Sequence, residues 1–150
     1  MRTMNRGGIR VIAVIGAVLA LTAVDLGVAN ANKGGVPAIP LNNEQAMIGA
    51  DTGASGFFSY NIDGDQFCYI LTARDLSAPA RAAHIHVASR NVAGPIVIPL
   101  TVGSGTDWTV QACTTADPVL LGKVAANPRD YYVNVHTPTF PGGEIRGQLK

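Results

Sequence analysis

The last twenty residues, Tyr131 to Lys150 (YYVNVHTPTFPGGEIRGQLK), constrain the fold more than any other stretch. Side chains alternate along a strand, so Tyr131, Val133, Val135 and Thr137 share one face while Tyr132, Asn134 and His136 share the other. Thr137 to Gly143 cannot continue that strand, because Pro138 and Pro141 lack ladder donors and Gly142 and Gly143 permit positive φ. The chain then re-enters an extended segment, with Ile145 and Leu149 on one face and Glu144, Arg146 and Gln148 on the other. A returning hairpin is predicted, with one apolar face that needs a core and one face rich in polar chemistry.

The rest of the chain supplies that core in short, closely spaced strands. Segments 46–50, 56–61, 66–71, 83–88, 95–100 and 108–113 read as strands, and Asp63-Gly64 between the second and third is a hairpin signal of type I′. Asn61 to Asp65 has some likeness to a calcium loop, but its glycine is misplaced and the distant glutamate is missing, so it reads as a turn. One short helix is predicted near 117–127, with Asp117 as its cap, Pro118 in its first turn and Asn127-Pro128 as its stop. Residues 32–45, rich in Gly, Pro and Asn, read as a flexible lead-in. The expected fold is all-β, a Greek-key sandwich crossed by one helix.

The N-terminus carries a different signal. Arg2, Arg6 and Arg10 precede an unbroken apolar run of 14 residues, Val11 to Val24, and Ala29-Asn30-Ala31 has a small-x-small pattern. The run falls short of the ~20 residues that a spanning helix needs. A secretory signal over residues 1–31 is expected, cleaved after Ala31. From Asn32 onward eight Lys and Arg face nine Asp and Glu. Such a balance excludes a nucleic-acid binder that works by phosphate neutralisation, and offers no polybasic patch for a membrane surface. The expected product is secreted and extracellular, without a membrane association after cleavage.

Cys68 and Cys113 are the two cysteines, each in a strand-like context. In an exported chain such a pair reads as a disulfide, the alternative being two buried thiols.

The three histidines are His84, His86 and His136. His84 and His86 stand on one strand face, about 6–7 Å apart at the backbone. If His136 lies on a paired strand, three imidazoles meet, a set suited to copper or zinc with one coordination position open. The competing reading is a polar network of His84, His86, Asn134, His136, Glu144, Arg146 and Gln148 that satisfies itself or meets a partner. Glu144 and Arg146, two residues apart, read as a recognition patch or as a surface ion pair worth ~0–1 kcal/mol. No serine sits in a Gly-x-Ser-x-Gly elbow and no phosphate-cradling glycine loop is present, so the pattern leans away from an enzyme.

Three segments together resemble the CHRD domain family, named after chordin: Ala83-His84-Ile85-His86; Gly94-Pro95-Ile96-Val97 with Leu100; and Tyr132 to Thr137 leading to Pro141 to Leu149. The likeness is to secreted single-domain bacterial members, and covers residues 46–150. It implies a β-sandwich of immunoglobulin-like or Cu,Zn superoxide dismutase-like build, with Cys68 and Cys113 similar to the cysteine pair of such members. It implies no activity. In chordin these domains belong to an extracellular antagonist of bone morphogenetic proteins. The family's glycine-rich loop after the second histidine is replaced here by Val87 to Ala93, VASRNVA. The leading expectation is a non-enzymatic domain that binds an unknown extracellular protein or surface ligand through His84, His86, Asn134, His136, Glu144 and Arg146. The alternative is a copper- or zinc-binding domain using His84, His86 and His136, short of the additional ligands of a dismutase.

Overall fold

The computed structural model describes residues 38–150. The expected export signal at 1–31 and the start of the lead-in lie outside them. The described residues form eight strands: β1 (Ile39–Asn42), β2 (Ser55–Asp63), β3 (Gln66–Arg74), β4 (Ala82–Val87), β5 (Ile96–Leu100), β6 (Trp108–Thr115), β7 (Tyr131–His136) and β8 (Ile145–Gln148). Two helices accompany them, the single-turn α1 (Asn43–Ala46) and α2 (Pro118–Ala126), with a 3-10 turn at Pro128–Asp130. Among the described residues no helix is long and apolar enough to cross a membrane.

The β2–β3 hairpin illustrates how local sequence sets register. Its nine ladder pairs run from Ser55↔Arg74 to Asp63↔Gln66, so Gly64 and Asp65 are the two turn residues. Gly64 alone adopts positive φ (61°). Glycine at the first central position is the type II′ requirement, so the turn lies one residue later than the Asp63-Gly64 reading and differs from I′. Alternation along the two strands puts Phe58, Tyr60, Phe67 and Tyr69 on the buried face, their ring centroids 5.2–6.3 Å apart. Phe57 and Ile70 face outward.

The strands form one antiparallel sheet in the order β5-β4-β7-β8-β1-β2-β3-β6, curled nearly into a barrel. The ladder thins to a single pair, Asn42↔Arg146, where β1 meets β8. The sheet therefore consists of two four-stranded halves. Both contribute to one core, in which Ile85, Ile98, Val133 and Val135 join Phe58, Phe67 and Leu71. The all-β sandwich architecture is present, made by folding one sheet over on itself.

Cys68 and Cys113 face each other across β3 and β6 and are disulfide-bonded. Asp117 caps α2 by accepting from Val119 N at 2.8 Å. Leu121 and Val124 are the helix's buried contacts, while Val119 is exposed.

Two elements differ from expectation: the place of the first strand, and α1, a second helix where one was expected. The first strand is β1 at Ile39–Asn42, and residues 46–50, read as a strand, instead end α1 and enter a loop. Ile39 and Leu41 alternate into the core, which overrides the proline between them. Pro40 is tolerated because β1 borders β8 through only one ladder pair, so few donors are needed there. The lead-in expected over 32–45 thus contains a core strand.

Candidate functional site

β4 and β7 are neighbours with the register Ala82↔His136, His84↔Asn134 and His86↔Tyr132. The pleat places His84 and His86 on one face of β4, and His136 beside them on β7. Ring centroids are 5.6 Å apart for His84 and His86, 5.0 Å for His84 and His136, and 5.5 Å for His86 and His136. One ring nitrogen from each can be chosen so that all lie within 4.8 Å of one another. His86 is buried, and the other two are half-buried.

Hydrogen bonds decide which nitrogens are free. His86 Nδ1 lies 2.9 Å from Gly94 O, and His136 Nδ1 lies 2.9 Å from Pro141 O. A backbone carbonyl only accepts, so each Nδ1 carries the proton and each neutral ring keeps a bare lone pair on Nε2. Those two Nε2 atoms are 3.4 Å apart. Two acceptors at that distance repel unless a cation lies between them. A tetrahedral ion with ~2.0–2.1 Å bonds to nitrogen separates its ligand atoms by about 3.4 Å. The third ring, His84, has a buried Nδ1 with no partner.

The rings are held neutral, as ligands must be. Burial lowers the pKa of His84, and the neighbouring His136 and His86 lower it further. Burial likewise lowers His86, partly offset by its bond to Gly94, with His136 and Arg146 adding to the fall. For His136 burial again dominates, offset in part by the bond to Pro141.

The model of the CHRD domain family matches residues 38–149. The chain belongs to the CHRD family. No curated protein and no solved structure matches it. The match begins at residue 38, ahead of the start expected at 46, and takes in β1.

The other residues expected on an open binding face of this CHRD domain are placed differently. Asn134, Glu144 and Arg146 are buried and bonded within the chain. Asn134 Nδ2 donates to Gly142 O at 2.9 Å. Gly143, at φ 116°, packs against that amide so tightly that a Cβ would collide with it. Glu144 does not pair with Arg146. It precedes β8, where the chain is still turning, and its carboxylate accepts from Ser77 N, Ser77 Oγ, Thr52 Oγ1 and Thr137 Oγ1 at 2.8–3.0 Å. Glu144 and Arg146, read as a recognition patch or as a surface ion pair, are both buried and do not bond to each other.

Arg146 does a different job. Its Nη1 donates to Val92 O and its Nη2 to Ser89 O, each at 2.9 Å, and Gln148 Nε2 donates to Ala88 O at 2.8 Å. Its guanidinium lies 3.3 Å from the centroid of Tyr132, whose opposite face stacks on His86 at 4.8 Å with ring planes 10° apart. Tyr132 Oη accepts from Gly94 N at 3.1 Å. The loop after the second histidine is thus bound through its carbonyls to β8, and through the Gly94 amide to Tyr132 of β7, in place of a glycine-rich sequence. Tyr132 and Gln148 were placed on the polar face by alternation alone. Ser77 and Thr52 had no signal, since their link to Glu144 spans 67 and 92 residues.

Proposed function

We propose that this CHRD domain binds one copper or zinc ion through His84, His86 and His136. The supporting observation is the pair of bare Nε2 atoms 3.4 Å apart, each ring oriented by an Nδ1–H bond to a carbonyl. Such second-sphere bonds fix tautomer and ring orientation in metal sites and raise ligand basicity. Three imidazoles leave a fourth position for water or a small ligand.

The disulfide favours an oxidising, extracellular-type setting, which agrees with the apolar N-terminal run. The sequence carries no Gly-x-Ser-x-Gly elbow and no phosphate-cradling glycine loop, which favours a binding role over catalysis. Docking of a protein partner through the same face is the weaker reading, because Asn134, Glu144 and Arg146 are committed inside the chain.

Calorimetric titration of the metal-free protein with Cu²⁺ and with Zn²⁺ tests the proposal. One equivalent should bind with a dissociation constant below about 10 µM, equivalent to ~7 kcal/mol. The double variant His84→Ala/His136→Ala should lose that binding while keeping its far-UV spectrum. Wild-type binding weaker than this limit, or unchanged binding in the folded double variant, contradicts it.

A further inference from the structure

Residues 38–150 carry seven Lys and Arg against nine Asp and Glu. Three of the seven cations, Arg90, Arg129 and Lys150, nevertheless line one cleft of about 560 Å³, and no acidic side chain lines it with them. Arg146 lies behind, close enough to Arg90 for the two charges to oppose each other. Charge of one sign gathered in a concave site concentrates counter-ions there, even on a domain of opposite net charge.

The backbone beneath these cations is fixed. Gln148 Nε2 donates to Ala88 O at 2.8 Å and to Arg129 O at 2.7 Å, so one side chain ties both arginine-bearing segments to β8. Arg146 holds Ser89 O, the residue next to Arg90. Tyr60 Oη donates to Lys150 O at 3.2 Å. Polar groups along the cleft are thus used to position its rim, while Arg90 and Arg129, both exposed, have no Asp or Glu side chain beside them in its lining.

We propose that this cleft is an anion site, separate from the histidine cluster, for a ligand with closely spaced phosphate or sulfate groups. Two guanidinium groups give planar, bidentate donors for such oxyanions. The cleft is large enough for a small molecule, at the scale of ordinary ligand pockets. No histidine lines it.

The test is titration of the metal-free protein at low salt with two probes, inorganic pyrophosphate and a disulfated disaccharide. At least one should bind with a dissociation constant below about 1 mM. Pyrophosphate alone identifies a phosphate ligand, the disaccharide alone a sulfate ligand, and binding of both the chemistry they share. Arg90→Ala and Arg129→Ala, both at exposed positions, should each weaken binding about tenfold. Lys123→Ala on α2, outside the cleft, and His84→Ala should leave it unchanged. Raising salt from about 20 to about 200 mM should weaken it further. Neither probe binding, or binding that survives both arginine substitutions, overturns the proposal. Loss of binding in Lys123→Ala or His84→Ala also overturns it.

Discussion

Glu144 accepts four hydrogen bonds where no solvent reaches it, from three separate segments of chain around Thr52, Ser77 and Thr137. Its own backbone joins in: N donates to Val135 O at 2.7 Å and O accepts from Asn43 Nδ2 at 2.9 Å. Removing the carboxylate would leave the buried Thr137 hydroxyl without its acceptor and release the part-buried bonds from Thr52 and Ser77 that tie three segments together. Glu144→Ala should therefore lower unfolding free energy by about 3–5 kcal/mol, and Glu144→Gln by less, because its amide oxygen still accepts. Urea denaturation measures both, and a loss under about 1 kcal/mol for the alanine variant would contradict the assigned role. Alternation along an assumed strand put Glu144 on the outer face beside Arg146. That parity fails one residue before β8, where the backbone is not yet extended, and the residues that receive the side chain are remote in sequence. His84, His86 and His136 were legible because all three lie inside regular strands, where period-2 reasoning holds.

At the scale of elements, β4 and β7 create the site by pairing. His136 stands opposite Ala82, which brings its ring beside His84 and His86 without any contribution from a loop. Loops then set the chemistry, because Gly94 and Pro141 supply the carbonyls that fix the tautomers. Only the strand contribution was readable beforehand, since a loop carbonyl leaves no mark on residue type. The same pairing has a consequence in acid. All three histidines have folded-state pKa values below the ordinary imidazole value, chiefly through burial. A lowered folded pKa means that the unfolded chain binds more protons as pH falls below about 6.5, so stability rises with pH across that window. The metal-free protein should be fully stable above it and lose stability progressively as pH falls towards the lowered values. Urea midpoints at successive pH values measure this, and His84→Gln should flatten the slope. A profile that stays level from about pH 7 to about pH 5 would contradict the burial of these rings. β5, at the sheet edge, carries Pro99, a residue that an edge strand tolerates and that discourages further pairing. β1 was missed because its proline and flanking glycines read as linker, although Ile39 and Leu41 already alternated.

For the whole molecule, the chain leaves one half of the sheet after β3, builds β4 and β5 at the far edge, and returns as β6 beside β3. The Cys68–Cys113 disulfide closes this excursion, a sequence separation of 45. Loop entropy at that length corresponds to about 4 kcal/mol of stabilisation. Reduction should lower the urea midpoint accordingly, and a change below about 1 kcal/mol would contradict this contribution. The histidine cluster sits in the other half, on β4 and β7, so reduction should destabilise the fold without abolishing metal binding while the protein remains folded. The backbone ladder joins the halves only at Asn42↔Arg146, and side-chain bonds such as Asn43 Nδ2 to Glu144 O and Tyr60 Oη to Lys150 O reinforce the junction. Strand count and alternation made the all-β class legible; the continuity of one sheet through a single ladder pair was not, because no residue pattern records which strands are neighbours.

The metal site rests on the state of two ring nitrogens, and long-range ¹H–¹⁵N correlation of the histidine side chains observes them directly. In metal-free protein at about pH 7.5, His86 and His136 should both carry the proton on Nδ1. One equivalent of Zn²⁺ should then shift Nε2 of both, together with one ring nitrogen of His84. A proton on Nε2 of His86 or His136, or Zn²⁺ leaving all three rings unchanged, would contradict the metal site.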